Sequence, residues 1–170
     1  MRRVSLLFLA VVLLLTACTA SPKQRADEFE ELLPATIGNW EQDDGETVKL
    51  LSNTVTNKGH VAFTYEGPDD AIAFIVVEAH PSEDAAEVAV ASRMRELMLA
   101  GVEFSTDRKA RYATADVAET DRIRYAFFQE ADLVVEIDAL AAEDAPLVSE
   151  EDFVALLDIV REVLLRLEVD

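Results

Sequence analysis

Two histidines are the residues of this chain best suited to chemistry by type and position. His60 begins a strand-like segment, and His80 ends another, directly before Pro81. If these two strands pair, both imidazoles could meet Glu66 or Glu78, and zinc accepts imidazole and carboxylate ligands. The alternative is that each histidine lies at the surface at a strand end, because the ligands of a metal site usually cluster more tightly. The sequence predicts no bound metal and no other cofactor.

Two acidic loops are a second candidate, because calcium binds oxygen ligands. One loop covers residues 43–46, with the sequence DDGE, and the other covers residues 66–70, with the sequence EGPDD. Neither loop has the alternating acidic spacing that marks a dedicated calcium loop. Weak calcium binding and an ordinary acidic turn therefore both remain open for these segments.

Motifs for covalent or phosphate chemistry are missing from the sequence. It contains neither Gly-x-Ser-x-Gly nor Ser-x-x-Lys, and its five glycines are too scattered to form a phosphate-binding loop. Paired carboxylates could cleave glycosides, but 34 Asp and Glu residues offer too many pairs to select one. We therefore expect a protein that is not an enzyme.

The basic residues form one cluster in an otherwise acidic chain. Arg122 and Arg124 share a strand face, and residues 108–111 add three more basic side chains nearby. This cluster is either a patch that binds an anion or a partner, or local compensation of acidic neighbours. The formal net charge of −19 argues against nucleic acid as the partner, because phosphate backbones are bound by Lys and Arg.

The N-terminal segment has the pattern of an export signal. Arg2 and Arg3 precede an apolar run over residues 4–15 that only Ser5 interrupts, and small residues follow. A run of about twelve residues is too short to cross roughly 30 Å of hydrocarbon as a helix. The segment therefore predicts export rather than a membrane-spanning helix.

The end of this segment, Leu15-Thr16-Ala17-Cys18, resembles the lipobox of bacterial lipoproteins. The resemblance implies that the Cys18 thiol receives a diacylglyceryl group and that a signal peptidase cuts just before it. The new amino group is often acylated as well, and two or three acyl chains hold a protein firmly at a membrane. The alternative is a plain secretory signal that leaves a free thiol on Cys18.

The lipobox divides the chain into three parts. Residues 1–17 are the signal peptide, residues 18–21 are the lipidated anchor and short tether, and residues 22–170 form a single domain. Cleavage removes two arginines and no acid, so the net charge of the mature chain falls from −19 to −21. We expect an exported protein on the outer face of the cell membrane, or at the outer membrane where a cell has two membranes.

The elements that position these residues follow a regular order. Period-2 and period-3.6 patterns predict a short helix at 22–33, strands at 47–56, 60–66 and 71–79, a helix between Ser82 and Gly101, strands at 111–118, 122–128 and 132–140, and a helix after Ser149. This order is a helix followed by βββα twice. It predicts an α+β domain in which helices pack on a single antiparallel sheet of about six strands.

The sequence does not decide what the helix at 22–33 packs against, or whether a pocket lies under the helix after Ser82. Ser21 and Pro22 are typical of a helix start, but the helix that follows could pack on the domain or belong to the tether. In the helix after Ser82, the apolar residues recur at helical spacing and predict its buried face; they are Ala86, Val90, Met94, Leu97 and Met98. A pocket under this helix would suit a small ligand.

The order of elements also resembles the Mog1/PsbP-like fold, over most of the mature chain. That resemblance implies a binding or assembly factor rather than an enzyme, and it transfers no functional residues. The expected function is therefore a lipid-anchored, non-enzymatic binding or assembly factor at the cell envelope. Its partners would be the membrane, through Cys18, and another envelope protein. The alternative is a lipoprotein that binds a small ligand or lipid between sheet and helix.

Overall fold

The structure is a computed structural model that describes residues 21–43, 59–104 and 115–167. Four of the features predicted from sequence lie outside these ranges. They are the lipobox at residues 15–18, the strand predicted at 47–56, the greater part of the first acidic loop at 44–46, and the basic residues at 108–111.

Three helices and one seven-stranded antiparallel sheet form the described part of the chain. The helices are α1 (Pro22–Leu32), α2 (Glu83–Leu99) and α3 (Glu150–Leu167); the strands are β1 (Thr36–Ile37), β2 (Trp40–Gln42), β3 (His60–Glu66), β4 (Ile72–Ala79), β5 (Ala115–Glu119), β6 (Ile123–Glu130) and β7 (Leu133–Leu140). Their order across the sheet is β1-β2-β3-β4-β7-β6-β5. The predicted α+β class with a single antiparallel sheet is confirmed.

The first two strands form a small hairpin at one edge of the sheet. Gly38 adopts a left-handed backbone with φ of 58° and reverses the chain, so that Ile37 pairs with Trp40. Both of these side chains are buried, and the Trp40 indole nitrogen donates to the backbone oxygen of Asp152 over 3.0 Å. The hairpin thus extends the sheet and is fixed to α3.

The main core lies between one face of the sheet and two helices, α1 and α3. On β7, Leu133, Val135 and Ile137 point into this core, as the alternation along the strand predicts. Phe29 of α1 and Phe153 of α3 are fully buried against the same face. The core therefore joins both ends of the described chain to the centre of the sheet.

Helix α1 packs on the domain and is not part of a free tether. The Ser21 hydroxyl accepts from the backbone N–H of Gln24 over 3.2 Å, which caps the helix start as the sequence predicts. Arg25 donates to the backbone oxygen of Leu167 over 3.3 Å. The first element of the described structure is therefore packed on the domain from its N-cap onward.

Helix α2 covers the opposite face of the sheet, over β6 and β7. Its residues Ala86, Val90 and Leu97 are buried there, but Met98 is half exposed. Consecutive helical residues are about 100° apart around the axis, so Leu97 and Met98 cannot both face the sheet. The prediction that placed Met98 in the buried stripe was wrong for this reason.

Candidate functional site

Pairing between β3 and β4 brings the two histidines to one carboxylate. His60 lies opposite Glu78 in the antiparallel register, and His80 follows Glu78 by two residues. The His60 Nδ1 atom is 3.3 Å from one carboxylate oxygen of Glu78, and the His80 Nε2 atom is 3.5 Å from the other. Both nitrogens are buried, and the geometry of these contacts gives neither of them a hydrogen-bond partner among the described residues. Glu78 is thus the residue that joins the histidines.

The second acid proposed from the sequence, Glu66, is not part of this cluster. It lies at the far end of β3, paired with Ile72, and six residues of strand separate it from His60 by about 20 Å. Within residues 21–43, 59–104 and 115–167, no group of three or more His, Cys, Asp or Glu side chains is arranged to hold a metal ion.

The electrostatics of the cluster favour a charged carboxylate. The pKa of the Glu78 carboxyl is lowered, first by its close contact with His60 and further by the charge of both imidazoles, while burial opposes this shift. The group is therefore an anion that orients two imidazoles at one end of the sheet. Such an arrangement can accept or relay protons, or contact a polar ligand.

An open cleft adjoins this cluster at the start of the folded chain. It has a volume of about 550 Å³, and its walls include Ser21, Pro22, His80 and Glu83. An ion pair of 3.4 Å between Arg25 and Asp132 forms part of the same wall. The cleft therefore presents charges of both signs, close to the predicted anchor.

A polar cluster between α2 and the sheet was not predicted from the sequence. The Arg93 guanidinium of α2 contacts both carboxylate oxygens of Glu136 on β7, at 3.0 and 3.1 Å from Nε. Asp138 lies two residues further along the same face, and its Oδ1 atom is buried without a hydrogen-bond partner in the described structure. The alternation along β7 suggested a solvated face, but α2 covers it.

Burial and a like charge change the acidity of Asp138. Burial raises its pKa, and so does the neighbouring Glu136 carboxylate, while Arg93 opposes the shift; the result is a pKa of about 7. Burial also raises the pKa of Tyr125, which lies opposite Asp138 on β6. The sequence shows Glu136 and Asp138 as a close pair of acids on β7, but it does not show that α2 covers them.

The rest of the interface between α2 and the sheet is filled by side chains. Tyr125, Phe127 and Val134 pack against the buried residues of α2, and the ring of Phe104 lies 6.0 Å from that of Phe127. This is the place where the sequence suggested a ligand pocket. There the described side chains pack against one another.

The two candidate arginines have different environments. Arg124 donates from Nε to the backbone oxygen of Val148 over 2.8 Å and pairs with Glu119 over 2.7 Å. Its guanidinium also lies over the ring of Phe153, at 6.0 Å from the centroid. Arg122 is exposed, with one hydrogen bond of 3.2 Å to the backbone oxygen of Ala141. Of the two, only Arg122 offers an accessible guanidinium to a partner.

The second acidic loop is a tight turn between β3 and β4. Asp69 and Asp70 both have left-handed backbones, with φ of 55° and 59°. The loop closes where the Gly67 N–H donates to the backbone oxygen of Ala71 over 2.8 Å. These contacts describe a structural turn, and they do not test the alternative of weak calcium binding at the loop.

Comparison with protein-family models, with curated proteins and with solved structures finds no significant match to this chain. In the described parts of the chain, no helix combines the length and the apolar character needed to cross a membrane.

Proposed function

We propose that the protein is a lipid-anchored, exported factor that binds a partner at the cell envelope. The observation that carries this proposal is the position of Cys18, at the end of the lipobox-like sequence and three residues before Ser21, the cap of α1. The four residues of the anchor and tether extend at most about 14 Å. Such a tether would keep the domain next to the bilayer.

The end of the domain that would face the membrane is the one that carries the cleft. Ser21 and Pro22, at the end of the tether, form part of the wall of the cleft together with His80 and Asp132. A partner in the plane of the membrane would meet these residues first. We therefore place the binding role at this end, and the resemblance of the element order to the Mog1/PsbP-like fold supports a non-enzymatic role.

A second candidate function is the binding of a small ligand or lipid. The cleft supports it, because about 550 Å³ falls within the range of small-molecule sites. Under α2, by contrast, aromatic side chains pack against the helix and Arg93 contacts Glu136. Under this alternative the ligand would bind beside the tether, not between sheet and helix.

The anchor is tested by replacing the lipobox cysteine. Cys18→Ala should abolish labelling with radioactive palmitate and move the protein out of the membrane fraction, because the chain has no other cysteine to acylate. Thr19→Ala is the matched control, since it changes the next residue and keeps the thiol. Membrane attachment and palmitate labelling that persist in Cys18→Ala would contradict the anchor.

The partner is tested by crosslinking in intact membranes followed by capture of the full chain. We expect one envelope protein to be recovered reproducibly, and recovery should fall with Glu83→Lys, because Glu83 is an exposed residue on the wall of the cleft. Glu151→Lys is the matched control, since Glu151 is also exposed in the first turn of a helix but does not line the cleft. Turnover of a defined substrate, together with capture of no partner, would contradict a binding role.

A further inference from the structure

Helix α2 exposes apolar side chains on the side that faces away from the sheet. Val88 is 70% exposed, Met98 is 51% exposed and Leu99 is 81% exposed, although all three belong to a well-packed helix. A helix that is apolar on two opposite sides usually packs against something on both. The sheet covers one side of α2, and the apolar residues of the other side are exposed in the described structure.

The exposed residues of α2 follow the spacing of a coiled-coil seam. Alternating steps of four and three residues connect Asp84, Val88, Ala91, Arg95 and Met98. All five are exposed in the structure. The seam is therefore available to a second helix, and Ala91 near its middle is small enough to allow a close approach.

We propose that this seam pairs with the same seam of a second copy, with the two α2 helices antiparallel. A two-fold axis between Ala89 and Val90 matches residues that are equally distant from it along the helix. Val88 then faces Ala91 of the other copy, and Asp84 faces Arg95 of the other copy. By symmetry each of these contacts occurs twice.

Charge complementarity selects this register. Asp84 and Arg95 are eleven residues apart in one helix, about 16 Å along its axis, so they cannot pair within a chain. Neither side chain forms an ion pair with another residue in the described part of the chain. In the antiparallel pair each becomes the other's partner across the two-fold axis.

The dimer is an interaction beyond the proposed anchoring and does not depend on it. Two copies carry strong negative charge and repel each other at long range, so the contact has to be made by the seam itself. At about 0.15 M salt the Debye length is about 8 Å, which screens this long-range repulsion more than the close Asp84–Arg95 pairs. The oligomeric state is therefore best measured at that ionic strength.

The experiment is a charge swap in the full chain, measured by sedimentation equilibrium in density-matched detergent. The wild-type chain should be a dimer, and Asp84→Arg or Arg95→Asp alone should raise the dissociation constant at least about tenfold. The double variant Asp84→Arg with Arg95→Asp should restore the dimer, because only the pairing between copies connects these positions. Circular dichroism would verify that every variant is folded.

Three results would overturn the proposal. The first is a wild-type chain that is monomeric at all concentrations tested. The second is a dimer that neither single reversal weakens. The third is a folded double variant that stays as weak as the single ones, which would mean that the two positions face a different protein or a different register. Fractionation of the same variants reports on the lipid anchor separately, so failure of the dimer leaves the anchor untouched.

Discussion

Asp138 is a residue whose environment conflicts with its charge. It lies on β7 under α2, close to Glu136, and Arg93 makes its close contacts with Glu136. Its pKa of about 7 means that the folded chain holds a proton there under conditions in which an unfolded chain would not. Such a carboxyl stabilises the fold while it is protonated, below the ordinary aspartate pKa of about 4, and this stabilisation is lost as the pH rises through about 7.

The replacement Asp138→Asn should therefore change how stability depends on pH. We expect the wild-type chain to lose stability between pH 5 and pH 8, whereas the variant loses less and exceeds the wild type at pH 8 by on the order of 1–2 kcal/mol. Thermal unfolding at the two pH values measures this difference. Asp158→Asn, at an exposed position on α3, is the control. Equal pH dependence in all three proteins would contradict the shifted pKa.

Position 67 needs a glycine because the ring of Trp40 lies directly against it. A Cβ atom at this position would lie 2.3 Å from the ring of Trp40, and the backbone there is not left-handed. Gly67→Ala should therefore destabilise the fold through overpacking, by about 1–3 kcal/mol in denaturant unfolding. Trp40→Phe removes the contacting ring atoms, so the cost of Gly67→Ala should be smaller in that background. An equal cost in both backgrounds would show that the contact is not the cause.

Among the elements, α1 connects the predicted anchor to the core. Phe29 is fully buried between α1 and the sheet, and Gly59 passes so close to Pro22 that a Cβ atom would approach it to 2.9 Å. These contacts fix the start of the folded chain against β3 and β4. A force on the anchor would therefore act directly on the core.

Removing the Phe29 side chain should release α1. We expect Phe29→Ala to lower the free energy of unfolding by about 3–5 kcal/mol, because a large buried side chain leaves a cavity. Limited proteolysis should then cut within residues 22–33, which resist in the wild type. Glu30→Ala, on the exposed side of the same helix, is the control and should change neither result. Equal resistance of both variants would mean that α1 is held by other contacts.

The sequence predicted an element well where many residues follow a regular polar–apolar pattern. It predicted burial poorly where another element packs over a face. The alternation of β7 and the caps at Ser21 and Ser82 placed a strand and two helix starts correctly. The β1–β2 hairpin was missed because strands of two and three residues show no period. The convergence of His60 and His80 on Glu78 depends on strand register, which the sequence raised as a condition but could not establish.

In the molecule as a whole, acidic side chains far outnumber the basic side chains that could neutralise them. Among the described residues, arginines pair with carboxylates at three sites on or beside the sheet, through Arg25, Arg93 and Arg124. The chain nevertheless keeps a formal net charge of −19, with 34 acidic against 15 basic residues. Most carboxylates therefore add to a repulsion that favours the unfolded state, and salt should reduce that repulsion.

Stability should consequently rise with ionic strength in the low-salt range. Raising NaCl from about 0.01 M to 0.15 M shortens the Debye length from about 30 Å to about 8 Å, and we expect the unfolding temperature to rise by about 3 °C or more. The control variant replaces four exposed carboxylates with amides, at Glu30, Glu31, Glu143 and Asp144, and should show a smaller rise. If the unfolding temperature instead falls with salt, the arginine ion pairs outweigh the repulsion, because screening weakens attraction and repulsion alike. The direction of the shift thus decides which of the two dominates the electrostatics of the fold.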